Sequence, residues 1–270
     1  MSLTTIPRTS RHTLYSEAIQ QKFVIDVWQP QTRQLEPMPV VYLTDANLLF
    51  PMVTGIARLL KLSGEVPAFL LVGIGYADDD NVLALRQRDL TPSVDNSYQE
   101  RGAPVLETEP RSGGAALFAD FIEAEVKPFV QNNFNASADD EMLAGDSLGG
   151  LFTMHTMFAH PERYRRYLAA SPSIWWHERM LLDVEVDYAE NHDNLNAQLF
   201  ISIGEDEEQP DNPHDWARMV TNMREMSGRL GARNYPDLRL SSCSLPGETH
   251  FSVMPVNFSR GLRALYKELL

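Results

Sequence analysis

Glu141-Met142-Leu143-Ala144-Gly145-Asp146-Ser147-Leu148-Gly149-Gly150 is the stretch that decides how this chain reads. Glu141 to Ala144 reads as a short strand, and Leu148 to Phe158 as a helix ended by Pro161. Between them, Gly145-Asp146-Ser147-Leu148-Gly149 fits G-x-S-x-G in the strand–turn–helix setting that this pattern needs. Small residues at 145 and 149 allow a sharp turn, and Gly150 lets the helix approach the sheet closely. A serine on such a turn is held in a strained conformation, with its hydroxyl presented at the carboxyl edge of the sheet. The Leu148 N–H points to the same place and can donate to an oxyanion. Ser147 is therefore the candidate nucleophile and Leu148 a candidate oxyanion-hole residue. An ordinary glycine-rich turn with a helix-capping serine has the same letters, but the flanking strand and helix favour the catalytic reading.

Outward from this turn, the segments alternate between strand and helix. Phe23–Trp28, Pro39–Thr44, Ala68–Ile74, Arg166–Ala170, Gln198–Ile203 and Leu238–Leu245 read as strands. Met52–Leu62, a stripe running from Leu117 to Val130, Trp216–Leu230 and Phe258–Leu270 read as helices. The order implies an α/β fold with a mostly parallel central sheet covered by helices on both faces. No repeat or linker divides the chain, so residues 1–270 are expected to form a single domain. Residues 78–114 are polar and rich in proline and glycine, and are expected to run over the surface as part of the active-site wall.

The 270 residues are 43% hydrophobic, enough for one sizeable core, and carry a formal net charge of −14. An acidic chain with no Lys/Arg run is a poor partner for nucleic acid or an anionic membrane. The single cysteine, Cys243, excludes an internal disulfide and is expected to be a small core residue. No apolar run approaches the roughly 20 residues of a membrane span. The N-terminal segment lacks an apolar core, so a cytoplasmic location is expected.

A serine nucleophile needs a base, and in the α/β-hydrolase fold the chain order is serine, acid, histidine. Of the histidines at 12, 155, 160, 177, 192, 214 and 250, His250 lies in Pro246-Gly247-Glu248-Thr249-His250, between the last expected strand and the last helix. That loop returns to the sheet edge beside Ser147. The acid should follow the strand Gln198–Ile203, where Gly204-Glu205-Asp206-Glu207-Glu208 offers four adjacent carboxylates.

Several motifs in order then resemble the esterase D-like branch of the α/β hydrolases, and within it the IroE/Fes-type siderophore esterases. Tyr42-Leu43-Thr44-Asp45-Ala46-Asn47 is similar to the Y-L-x-D-G-N strand end of that group. Arg86-Gln87-Arg88-Asp89-Leu90-Thr91-Pro92 resembles R-x-R-D-x-T-P, and Ser171-Pro172-Ser173-Ile174-Trp175-Trp176 resembles S-P-S-x-W-W. Gly204-Glu205-Asp206-Glu207 is similar to G-E-x-E, and His250-Phe251-Ser252-Val253 to the histidine segment. The resemblance implies Glu207 as the triad acid and a second oxyanion donor at Ala46 or Asn47, where Ala46 replaces the usual glycine. It also implies Arg88 and Trp175 or Trp176 as substrate contacts: a guanidinium can hold oxygens and an indole can pack on an aromatic acyl group.

The expected activity is that of a serine esterase on a small-molecule ester, with siderophore trilactones and other small acyl esters as substrate classes. An acyltransferase using the same serine and a non-catalytic binding protein on the same fold are the alternatives. No metal or organic cofactor is expected, because HExxH, CxxC and the Walker loop are all absent from the sequence. The composition does not specify an oligomeric state.

Overall fold

A computed structural model describes residues 5–33, 35–77, 81–95, 97, 111–211 and 214–269. Eight strands form one sheet: β1 (Thr9–Ser16), β2 (Gln21–Trp28), β3 (Met38–Leu43), β4 (Leu70–Tyr76), β5 (Ala136–Asp146), β6 (Arg166–Ala170), β7 (Gln198–Gly204) and β8 (Arg239–Leu245). Their spatial order is β1-β2-β4-β3-β5-β6-β7-β8. The β1–β2 and β2–β4 pairs are antiparallel, and every later pair is parallel. All residues of β3, β4 and β6 are buried. Their nearly continuous apolar runs reflect a parallel sheet with both faces covered.

Successive strand residues feed opposite layers, as a two-residue side-chain period requires. Val41, Leu43, Met142, Ala144 and Leu168 pack with Val53 and Ala57 of α1 (Ala46–Ser63) and with Phe258 and Leu262. On the other face, Val40, Tyr42, Leu143 and Tyr167 join a larger core with Phe118, Ile122, Leu151, Phe152 and Met226. That layer contains α2 (Val82–Leu90) and α3 (Ala115–Phe121), which continues through a π turn at Ile122–Val126 into α4 (Lys127–Asn133). It also contains α5 (Leu148–Ala159), α6 (Trp176–Asn191) and α7 (Met219–Arg233); α8 (Met254–Tyr266) closes the first face. Among the described residues, no helix is long and apolar enough to cross a membrane.

The structure corrects several expectations. β1 and α6 were not legible as elements. The chain after β3 turns helical at Ala46, six residues before Met52, through a left-handed Asp45 (φ 56°, ψ 39°). Part of the expected surface excursion is core: Val82, Leu85 and Leu90 of α2 are buried, so its short apolar pattern packs despite its polar neighbours. Residues 78–80, 96 and 98–110 of that segment lie outside the described residues. Cys243 is only half-buried, because β8 is the edge strand and exposes much of its length.

Candidate active site

β5 delivers Asp146 to the carboxyl edge of the sheet, and the chain reverses at Ser147, with φ 60° and ψ −116°. A non-glycine residue there stores on the order of 1–3 kcal/mol, so surrounding structure must hold it. Its N–H donates to Ala170 O (3.0 Å), and its carbonyl accepts from the N–H groups of Leu151 and Ser173 (both 3.0 Å). Side chains are excluded around it. A Cβ on Gly145 would lie 2.4 Å from the Gly149 carbonyl, one on Gly149 2.4 Å from Thr44 Oγ1, and one on Gly150 2.7 Å from Ala170 O. The glycines thus let β3, β5, β6 and α5 meet at a distance that no larger residue permits.

Leu148 opens α5, and Ala46 and Asn47 open α1 on the neighbouring strand's turn. Thr44 N–H donates to Ala144 O at 3.0 Å, which keeps the ends of β3 and β5 level. The structure therefore brings all three residues sought for an oxyanion hole to one edge. First-turn N–H groups of a helix have no acceptor within it and suit a developing anion. The side chain of Asn47 is committed to Tyr76: its amide donates to Tyr76 O (2.9 Å), and its Oδ1 accepts from Tyr76 N–H (2.7 Å).

Three of the four adjacent acids separate by their partners. Glu205 pairs with Arg224 (3.0 Å), and Glu208 pairs with Arg218 (2.8 Å) and accepts from Thr221. Glu207, at the end of a 3₁₀ turn (Glu205–Glu207), is buried and lies 2.6 Å from His250 Nδ1 through its Oε2. Its Oε1 accepts from Ser171 Oγ–H (2.7 Å) and Gly204 N–H (2.8 Å), and Asn257 in turn donates to Ser171 Oγ (3.3 Å). Because the carboxylate only accepts, Nδ1 carries the proton and Nε2 is left as the basic nitrogen. A Cβ on Gly204 would fall 2.3 Å from Glu248 O, and Asp206 N–H donates to that oxygen at 3.0 Å, so the acid turn and the histidine loop sit backbone to backbone. Burial disfavours the His250 cation. The hydrogen bond to Glu207 and the charges of Asp146 and Glu207 outweigh it, and the imidazole pKa is raised above 6.5.

The remaining expected contacts divide. Arg88 forms a bidentate pair with its neighbour Asp89 (2.6 and 2.8 Å), which occupies the face expected to hold a substrate. Arg86 is the arginine of that segment tied to the site. It makes a bidentate pair with Asp45 (2.8 and 3.0 Å), and its charge is felt by Asp146 and His250. Trp176 is fully buried, and its indole N–H donates to Ser93 Oγ (3.2 Å), so this ring has no surface to offer a substrate. Trp175 is half-buried and meets the exposed Trp216 edge-on at 5.0 Å. Sequence reading missed Ser171 and Asn257 behind Glu207, and Ser173, whose Oγ is 3.3 Å from Ser147 Oγ. Ser171 and Ser173 belong to the quoted S-P-S segment, but Asn257 carries no local signal.

Three comparisons with known proteins bear on this arrangement. Residues 16–238 match the family described as Putative esterase. The chain is 32% identical over 267 residues to a ferri-bacillibactin esterase of Bacillus subtilis, covering 96% of this chain and 90% of that one. It is 32% identical over 265 residues to a siderophore triacetylfusarinine C esterase of Aspergillus fumigatus, covering 89% and 86%. Among solved structures, it resembles the BES protein from Bacillus cereus (TM-score 0.82, 28% identity, 98% of each chain covered). It also resembles the siderophore hydrolase EstA from Aspergillus nidulans (TM-score 0.84, 27% identity, 100% and 99% covered).

Proposed function

The chain belongs to the Putative esterase family and has the α/β-hydrolase fold, and we propose that it opens siderophore-type esters through an acyl-enzyme on Ser147. Carboxylic ester hydrolysis is the activity its relatives carry in their names. The finer reading assigns the steps. His250 Nε2 takes the Ser147 proton as the hydroxyl oxygen attacks the ester carbonyl. The Leu148 N–H and a donor from Ala46 or Asn47 hold the oxyanion. Glu207 keeps the imidazole in the useful tautomer and stabilises its cation. The proton passes to the departing alcohol, and water then resolves the acyl-enzyme with His250 again as base.

The observation that supports this most is the 2.6 Å Glu207–His250 bond at the sheet edge where the chain turns at Ser147. Trp175 with Trp216 is the apolar wall for an acyl group in this reading. A cytoplasmic location belongs to this reading as well.

The test is product analysis by mass spectrometry with a siderophore trilactone and a p-nitrophenyl ester, each with and without an added alcohol acceptor. Free acid from both esters, with the trilactone opened faster, is expected. Acyl transfer to the alcohol in preference to water would move the assignment to a transferase.

A further inference from the structure

Asp146 is a buried carboxyl that the steps above leave unused. It is the last residue of β5, set level with Ala170 of β6, and only 2% of its surface is exposed. Its Oδ1 is out of solvent and bonds no group among the described residues. A buried acid normally finds hydrogen-bond donors, and one without them costs stability unless it serves another end. Its ionic neighbours come from each surrounding element: Asp45 from the turn before α1, Arg86 from α2, Glu207 from the turn after β7 and His250 from the loop after β8. Arg86 is already neutralised by its bidentate pair with Asp45. Asp146 precedes Ser147 and lies level with Ala170, whose neighbour Ser171 bonds the Glu207 that holds His250, so the charge in this cluster that changes during the proposed reaction is that of His250.

We propose that Asp146 is a second acidic positioning residue for the base: its carboxylate stabilises the His250 imidazolium across space, beside the direct bond from Glu207. This rests on His250 being the base. No bond to Asp146 forms or breaks; the Ser147 proton goes to His250 Nε2, and the negative charge of Asp146 lowers the energy of the cation that results. Burial, and then the charges around it, push the Asp146 carboxyl up to about 7. Its ionised form therefore grows in around neutral pH, and its charge and the cation of His250, whose pKa is raised above 6.5, favour each other.

The experiment compares kcat/KM profiles from pH 5 to 9 for wild type and Asp146→Asn on a p-nitrophenyl ester, with the His250 ring proton followed by NMR in both. In Asp146→Asn, the acid limb and the His250 titration both move to lower pH. The plateau kcat/KM falls by about tenfold for each unit that His250 loses. A uniform fall at every pH with both midpoints unmoved would mean a merely structural role and overturn the proposal. If the variant does not fold, wild type with ¹³C-labelled aspartate gives the answer. A carboxyl resonance titrating near neutrality in step with His250 supports the proposal, and one ionised throughout overturns it. The underlying reading fails separately: activity retained in His250→Ala removes the base itself, whatever Asp146 does.

Discussion

The turn that carries Ser147 and the loop that carries His250 meet at one sheet edge but are held in opposite ways. The serine turn is fixed by sterics. Gly145, Gly149 and Gly150 have backbone or Thr44 within 2.7 Å of any added Cβ, and the strained serine is bonded through its backbone to β6 and to Ser173. The histidine loop touches the acid turn closely at one point, Glu248 O against Gly204, and is otherwise held by polar contacts. Gly247 has a positive φ of 74° but open space around it, and His250 is anchored through Glu207, Ser171 and Asn257. In the proposed mechanism the nucleophile must be placed within a fraction of an ångström, which close packing provides, and the base must change charge, which a carboxylate held by a chain of donors permits.

Glycine substitutions probe the contrast most strongly. Gly149→Val is expected to abolish ester turnover and to destabilise the fold by roughly 1–3 kcal/mol or more in chemical denaturation, because β3 has nowhere to move. Gly247→Ala is expected to cost about 1 kcal/mol of backbone strain and to keep most activity. Equal damage from both would break the comparison.

Glu207→Gln is next in size. The amide presents mixed donor and acceptor character to Nδ1 and removes the charge, so a fall in kcat of roughly 10²- to 10⁴-fold is expected, with the fold retained by circular dichroism. A loss below about threefold would mean that the acid is dispensable, and would shift weight to Asp146.

Two histidines sharpen the contrast by pH. His155, on the helix that follows Ser147, is half-buried with no compensating charge, and its pKa is lowered to about 4 by desolvation and then by His160. A depressed base contributes full stability above its ordinary 6.5 and loses it as pH falls toward the folded value. Roughly 2 kcal/mol should therefore be missing at pH 5 and restored in His155→Gln, read from denaturation midpoints. His250 has the opposite sign. The stabilisation from its raised pKa is present below 6.5 and fades as pH rises through the folded value, whereas the base role proposed for it needs that upper range. The acid limb of kcat/KM should therefore centre above 6.5. The smallest effect is expected from Asn257→Ala, a loss of roughly two- to tenfold in kcat for one neutral hydrogen bond behind Ser171.

How much of this was legible follows from how local each feature is. The turn at Ser147 was readable because its requirement for small residues falls within six consecutive positions, Gly145 to Gly150. His250 was readable from its place between the last strand and the last helix. The acid was readable only through the resemblance, which pointed to Glu207: taken alone, Glu205, Asp206, Glu207 and Glu208 are four adjacent carboxylates with nothing local to separate them. Only the fold puts Glu207 inward and its neighbours on Arg224 and Arg218. Asn257 was invisible because its partner Ser171 is 86 residues away in the chain. Arg88 was the expected contact, but α2 turns Arg86 toward Asp45 and lays Arg88 onto Asp89, an arrangement that two arginines two residues apart do not signal. α2 itself was hidden because its six buried residues include Gln87 and Asp89, which blur the apolar period.

The central claim is that Ser147 is the nucleophile of an esterase. The measurement that meets it most directly is p-nitrophenyl ester hydrolysis by purified wild type and Ser147→Ala, with a siderophore trilactone alongside. The account predicts turnover of both by wild type and a drop of at least about a thousandfold in the variant, since a triad without its nucleophile retains little beyond binding and the oxyanion hole. Comparable turnover by both proteins, or none of either ester by well-folded wild type, would contradict it.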